Sequence, residues 1–300
     1  MQINMIRSDK VYQEMLELPL EKREGCFRAK ILAPFATKYQ TQHIPLKAKY
    51  PGGFDALFLL GFMNQLPSTL SEKDRPAIDA LSSDQLWQNC QDTIKRSIGL
   101  FEQAGYDLDV EDYHFTILLG NPEKPMLQLN KGYSGDGGIP GYLMLSLLPN
   151  DYTLPRVQAA LAHECNHNVR FQFVKWNQQT TLADWVVSEG LAESFAAELY
   201  GKDLIGSWVT STSPEQLEEI KPIISSQLQL TGMAEMAPYL YGDEIAKIQG
   251  QIPVGMPYAA GYAYGYHLIQ AYLKKTGKSI IEATVTSTEE ILEATKDFWK

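Results

Sequence analysis

The segment His163-Glu164-Cys165-Asn166-His167 constrains this chain more than any other, because its chemistry requires a helix. Residues four apart in an α-helix share a face, so both imidazoles can point at one metal ion while Glu164, one position along, flanks it. The H-E-x-x-H pattern arises by chance in about one sequence of this make-up in two hundred. Its surroundings are helical: Pro155 suits a first turn, and Val157, Leu161, Ala162 and Val169 recur at helical intervals. His163 and His167 are therefore candidate metal ligands, and Glu164 is a candidate general base.

A catalytic zinc needs a third protein ligand and a position left open for water. A second helix is expected from about residue 181 to 200, stopped by Gly201, and it carries Val186-Val-Ser-Glu189-Gly-Leu-Ala-Glu193. The two glutamates are four apart and share a face, while Val186, Val187, Leu191 and Phe195 supply apolar contacts. Paired glutamates on a helix are ordinarily a solvated surface. Placed a short loop after an intact H-E-x-x-H, they read instead as a ligand, Glu189, and a supporting carboxylate, Glu193, that accepts the N–H of a liganding histidine. Spacing alone leaves those two roles interchangeable. A purely structural zinc is disfavoured, because such sites usually carry thiolates and Glu164 would have no task.

Elsewhere the chain alternates between helical and strand patterns. The first hundred residues read as mostly helical, amphipathic from Asp84 to Phe101, with loop signals at Pro45, Pro51-Gly-Gly53 and Pro67. Tyr113 to Leu119 is β-rich and stops at Gly120-Asn-Pro122; Tyr142 to Leu147 is a second strand. Between them, Gly132 to Gly141 lacks the Gly-Lys-Ser/Thr ending of a phosphate loop and reads as a hairpin or bulged loop at a sheet edge. Further helices are expected over 214–228, 257–275 (ended by Gly277) and 288–299, where Thr288 and Glu290 suit a first turn. His43 and His114 stand apart from the motif and read as surface or core histidines. The fold class is α+β, mostly helical, with a small β-sheet beside the motif helix. A helical N-terminal region (1–105) precedes a catalytic region (106–300), or the two form one continuous unit.

Composition narrows the partners. With 300 residues, 44% of them hydrophobic, the chain can bury a substantial core. Its net charge of −10, without a run of like charges, argues against nucleic acid or an anionic membrane, which need clustered Lys and Arg. Cys26, Cys90 and Cys165 share no metal-ligand spacing and suit neither a disulfide framework nor a thiolate zinc site. Residues 1–17 mix charges among apolar positions, unlike a signal peptide, and no segment reaches the roughly 20 apolar residues of a membrane span. A cytoplasmic location is expected.

The arrangement resembles the gluzincin metallopeptidases, whose third ligand is a glutamate on a helix downstream of H-E-x-x-H. More closely, His163-Glu-Cys-Asn-His167, Glu189-Gly-Leu-Ala-Glu193 and Gly261-Tyr-Ala-Tyr-Gly-Tyr266 look like the predicted zinc-dependent proteases of the YjaZ-like family. The resemblance runs from about Tyr113 to Lys275 and leaves residues 1 to about 100 unexplained. It implies a zincin-like fold with an edge strand beside the active-site helix, zinc as cofactor and a peptide or protein substrate. On that reading Glu164 takes a proton from the attacking water, and the oxyanion needs a donor. Tyr258, Tyr262 and Tyr266 fall at four-residue intervals; Tyr262 is the preferred donor, with Tyr266 and His267 behind it. If Tyr142–Leu147 is the edge strand, its backbone at Gly141, Tyr142 and Leu143 pairs with an extended peptide. Cys165, two positions from His163, should face away from the metal. The same motif also serves a metal-containing regulatory or binding protein without appreciable turnover, and hydrolysis of a non-peptide amide or ester.

Overall fold

The strand-forming residues come together in one four-stranded sheet in the computed structural model, which describes residues 1–299. Strands β1 (Gln2–Met5), β2 (Asp112–Leu119), β3 (Tyr133–Ile139) and β4 (Tyr142–Leu147) are ordered β1-β2-β4-β3. β1 and β4 run parallel to β2, and β3 runs antiparallel to β4. The class is α+β and mostly helical, as expected. The glycine-rich stretch forms a strand at the sheet edge, with a register irregularity between Asp136 and Ile139. Its return to β4 turns at Gly141, whose φ of 86° suits a residue without a side chain.

One expectation is corrected here. Tyr142–Leu147 is not an edge strand: β2 pairs with one side of it and β3 with the other. The backbone at Gly141, Tyr142 and Leu143 is spent inside the sheet: the Gly141 carbonyl accepts the His114 N–H at 2.8 Å, and Tyr142 and Leu143 lie in register with His114 and Phe115. A strand paired on both sides offers no ladder to a peptide. The edge is β3.

Cross-strand partners share a face of a sheet, and successive residues alternate. His114, Tyr142, Met144 and Asp136 therefore point to one side, and Phe115, Leu143, Leu145 and Gly135 to the other. Both sides are covered, which explains why β2 is buried along almost its whole length.

Residues 1–96 and 109–164 make up one compact unit; residues 97–108 and those from 165 onward make up the other. The boundary read from the sequence, at 105/106, groups the residues differently. In the first unit, β1 pairs with β2 in spite of more than a hundred intervening residues. Helix α1 (Ser8–Glu17) is pinned to β2: the Ser8 hydroxyl donates to the Ile117 carbonyl, and the Tyr12 hydroxyl accepts the Leu119 N–H at 3.2 Å. A continuous helical run from Leu20 passes through a π turn at Arg28–Leu32 and a 3-10 turn at Ala33–Phe35 into α2 (Ala36–Thr41). Two longer helices, α3 (Asp84–Gln103) and α4 (Val157–Phe173), contribute to both units.

The second unit is helical. Its centre is α5 (Leu182–Tyr200), whose Thr181 and Asp184 form a capping box: Asp184 N–H donates to the Thr181 hydroxyl at 3.2 Å, and Thr181 N–H to the Asp184 carboxylate at 2.9 Å. Gly201, at φ 93°, ends the helix. Around it pack α6 (Ala260–Thr276), α7 (Ile280–Val285) and α8 (Thr288–Ala294). Fourteen of the nineteen α5 residues are buried, so this helix is apolar all round because it has no solvated face. Among the described residues no helix is long and apolar enough to cross a membrane.

The glycines of two sequence motifs have a shared reason. A Cβ on Gly190 would collide with the Gly265 carbonyl, and one on Gly265 with the Val186 carbonyl, so α5 and α6 meet backbone to backbone. Gly190→Ala must push the helices apart, and the expected loss is about 1–3 kcal/mol, read as a lowered urea midpoint. Gly25→Ala, at an exposed helical site with nothing within 4 Å of the added carbon, should instead stabilise by about 0.5–1 kcal/mol. Equal effects at the two sites would contradict the close helix crossing.

Candidate metal centre

From Leu161 to Arg170 every residue of α4 is buried, including His163, Glu164, Asn166, His167, Asn168 and Arg170. Polar groups kept from water require partners, and each imposes a position on the helix. His163, His167 and Glu189 each offer one donor atom, and these atoms all lie within 4.8 Å of one another. His167 Nε2 stands 3.2 Å from Glu189 Oε2. Two donors bound at about 2.0–2.1 Å to one tetrahedral zinc are themselves about 3.3 Å apart. Two imidazoles and a carboxylate at this spacing, all buried, are a donor set that could hold one metal ion, and its chemistry fits zinc.

The second oxygen of Glu189 is oriented from its own helix: Trp185 Nε1–H donates to Oε1 at 3.3 Å. Trp185 lies one turn before Glu189, so the i, i+4 spacing that pairs Glu189 with Glu193 also pairs it with this indole. The same spacing was available in the sequence, but a tryptophan in an apolar run reads as packing. Glu193 lies a turn further on and is also buried. Its carboxylate accepts the Gly206 N–H at 2.6 Å and Trp208 Nε1–H at 2.7 Å, which fastens the loop after α5 to the helix. The Tyr266 hydroxyl, on the helix packed against α5, is pushed up from its ordinary pKa by burial and then by the Glu193 charge.

A run of aromatic rings follows the two carboxylates. His167 stacks on Phe171 with centroids 5.7 Å apart; Phe171, Trp176, Trp185 and Tyr241 continue in edge-to-face contacts of 5.5–5.6 Å. Tyr262 comes next, half-buried, 6.1 Å from Tyr241 and 6.2 Å from Trp208. Offset and edge contacts of this kind add to apolar burial. Tyr264 is set apart from this run, bonded through its hydroxyl to Ser225 at 3.1 Å and pushed up to about 12 by burial.

Glu164 lies against the edge strand. A Cβ on Gly135 would overlap the Glu164 carboxylate, and one on Gly137 the Glu164 backbone carbonyl. Glycine at both positions lets β3 approach α4 closely enough to leave room for that side chain, a function the hairpin reading of this stretch did not anticipate. Cys165 is buried and takes part in no disulfide. His114 is half-buried, stacked on Tyr142 at 5.3 Å and on the sheet side opposite Gly135. His43 is exposed, at φ 57°.

Comparison with known proteins gives the same region a family. Residues 86–293 match a family model described as "Predicted Zn-dependent protease (DUF2268)", well over half of the chain. The chain belongs to this family. It is 33% identical over 293 residues to "Uncharacterized protein YjfC" of Bacillus subtilis (strain 168), covering 97% of both chains. It is 26% identical over 155 residues to "Uncharacterized protein YjaZ" of the same organism, covering 50% of this chain and 55% of that one. No solved structure matches. The family match includes the whole donor set and all of β2, β3 and β4, and it begins after β1, α1 and α2.

Arg170, one turn past His167, is the residue that sequence reasoning missed. Its guanidinium is fully buried; Nε donates to the Ser188 hydroxyl at 3.1 Å, Nη1 to the Thr284 and Thr286 carbonyls at 2.8 and 3.0 Å, and Nη2 to the Thr288 hydroxyl at 3.2 Å. Burial pushes its pKa down to about 10, and the Asp184 charge pulls the other way. Asn166, from inside the motif, donates to the Thr284 hydroxyl at 2.7 Å. α4 is thus tied to α5 next to Glu189 and to the 284–288 segment. Arg170→Met strands several buried acceptors, each costing about 1–3 kcal/mol when unpaired. Chemical denaturation should register a loss of at least about 3 kcal/mol, with Arg170→Lys recovering only part, since an ammonium lacks the planar fork.

Proposed function

We propose that this protein is a zinc metallopeptidase of gluzincin type, built on a zincin-like fold, with His163, His167 and Glu189 as the zinc ligands. The carrying observation is the buried set of two imidazoles and one carboxylate within 4.8 Å, next to a glutamate for which β3 leaves space. Zinc bound there would acidify a water molecule and polarise the scissile carbonyl. Glu164 accepts the proton of the attacking water and delivers it to the leaving nitrogen as the C–N bond breaks. Its confinement between α4 and the two glycines fixes where that exchange happens, which matters because proton transfer requires hydrogen-bond distance.

An extended peptide lies along β3, the edge strand that reaches Glu164, and not along Gly141, Tyr142 and Leu143. Glu193 supports the ligand set through the loop it holds, and Tyr262 supplies the hydroxyl donor to the oxyanion. The run of aromatic side chains from Phe171 to Trp208 favours peptide side chains with apolar surface. A cytoplasmic location remains part of this reading.

Metal analysis and turnover test the reading separately. Wild type should carry roughly one zinc per chain and His163→Ala much less; unchanged zinc in the variant refutes the ligand assignment. Against a peptide library, Glu164→Gln should keep its zinc and lose about 10²–10⁴ in kcat, and Tyr262→Phe about 10²–10³. Equal turnover in wild type and Glu164→Gln removes Glu164 as the base. A zinc-loaded wild type that cleaves nothing leaves a metal-containing binding protein.

A further inference from the structure

The residues before the family-matched segment carry a buried lysine aimed at the edge strand. Lys38, on α2, has a side chain only 2% exposed, and its Nζ lies 2.7 Å from Asp136 Oδ2 on β3; Asp136 itself is 45% exposed. A second donor of the same ammonium meets Gln42 Oε1 at 2.9 Å, and the ammonium sits 5.0 Å from the centre of the Tyr39 ring. An ammonium removed from water is costly unless its protons are taken up, so this lysine holds its place by holding Asp136.

Neighbouring side chains also seat α2 on that sheet face. Phe35 packs on His114 and Tyr142 with centroids 6.3 and 5.9 Å apart, and the Tyr39 hydroxyl meets Met144 Sδ at 3.8 Å. His114, Tyr142, Met144 and Asp136 are one face by register. The change of winding through the π turn and the 3-10 turn at Pro34 aims Phe35, Lys38 and Tyr39 together at it, a local departure from regular helix that often accompanies a functional position.

Asp136 follows Gly135 directly, and the two point to opposite faces of β3. Asp136 is gripped by Lys38 on one side while Gly135 accommodates the Glu164 carboxylate on the other. We propose that Lys38 is a positioning residue: through Asp136 it fixes the edge strand against Glu164, so the N-terminal region completes the substrate-binding edge of a site whose chemistry lies in the family-matched part. This rests on the reading of Glu164 as general base and β3 as the peptide-binding strand.

The full-length protein is compared as wild type, Lys38→Met, Lys38→Arg and Asp136→Asn. Hydrogen–deuterium exchange of the peptide covering residues 133–139 should quicken by roughly tenfold to a hundredfold in Lys38→Met and in Asp136→Asn, the size of a lost charge-assisted bond. Residues 182–200 should exchange as in wild type, and Lys38→Arg should restore most of the protection. KM for a cleaved peptide should rise about tenfold with kcat changed less than about threefold, since substrate alignment and not the base is lost. Asp136→Asn alters a half-exposed residue, so it decides the matter even if Lys38→Met fails to fold. Unchanged exchange at 133–139 in Asp136→Asn, or equal quickening throughout the chain, overturns the proposal. The exchange measurement needs no turnover: a wild type that cleaves nothing, together with a loosened edge strand in the variants, refutes the peptidase reading and leaves the Lys38 clamp standing.

Discussion

The 3.2 Å contact between His167 and Glu189 joins two helices with almost no solvated surface, and that lack of solvent determines what surrounds it. A carboxylate and two imidazoles removed from water must be answered by other polar groups or by a cation. Trp185 holds one oxygen of Glu189 from the same helix, and Arg170 and Ser188 join α4 to α5 beside it. The rotation of α4 about its axis is therefore over-determined. Turning it by one residue, about 100° at 3.6 residues per turn, would withdraw the histidines from Glu189, Asn166 from Thr284 and Arg170 from four acceptors at once. Each of those losses is of order 1–3 kcal/mol, against a total stability of about 5–15 kcal/mol for an ordinary domain.

Close backbone approach does the complementary work. Polar side chains fix the rotation of α4, while glycines fix the spacing of elements. Gly190 and Gly265 bring α5 and α6 into contact, which sets Tyr262 and Tyr266 one helix away from Glu189 and Glu193. Gly135 and Gly137 do the same between β3 and α4 around Glu164. At all four positions a methyl group would meet backbone or a buried carboxylate, neither of which can move aside cheaply. Two of these glycines stand in the motifs that carry the family resemblance, and their reason is packing.

Local signals were legible where the physics is local. Thr181 and Gly201 bound α5, Gly277 ends α6, and the strands at 113–119 and 142–147 were recognisable within a residue. Each depends on caps or composition within a few positions. Failures came where partners are distant. β1 is four residues of unremarkable pattern, and it is a strand only because Asp112–Phe115 accepts it. Strand order was invisible for the same reason: Tyr142–Leu147 is the more strongly apolar strand because it is interior, and the glycine-rich strand is the edge because it must approach α4. The helices Met233–Tyr241 and Asp243–Ile248 went unread, with Pro238 inside the first and Gly242 between them interrupting the helical period. Arg170 drew no reading at all, since nothing within its own segment discloses that Thr284 and Thr286 turn their carbonyls toward it.

The same contrast separates the residues that carry the proposed chemistry from the unit that holds them. The family match spans H-E-x-x-H, whose internal spacing is set by one helix turn, and Glu189, which comes to it from the next helix. It starts at residue 86, beyond the strand that closes the far side of β2 and the helices that cover the sheet. Yet β2 is buried on both faces and paired on both edges, so an uncovered sheet would expose apolar side chains and unpaired backbone groups. Some covering structure is a physical necessity, while its sequence is free to differ as long as it is apolar inward. The Lys38–Asp136 pair stands out against that freedom: apolar cover could be supplied by many side chains, whereas a buried ammonium on the edge strand serves a specific position.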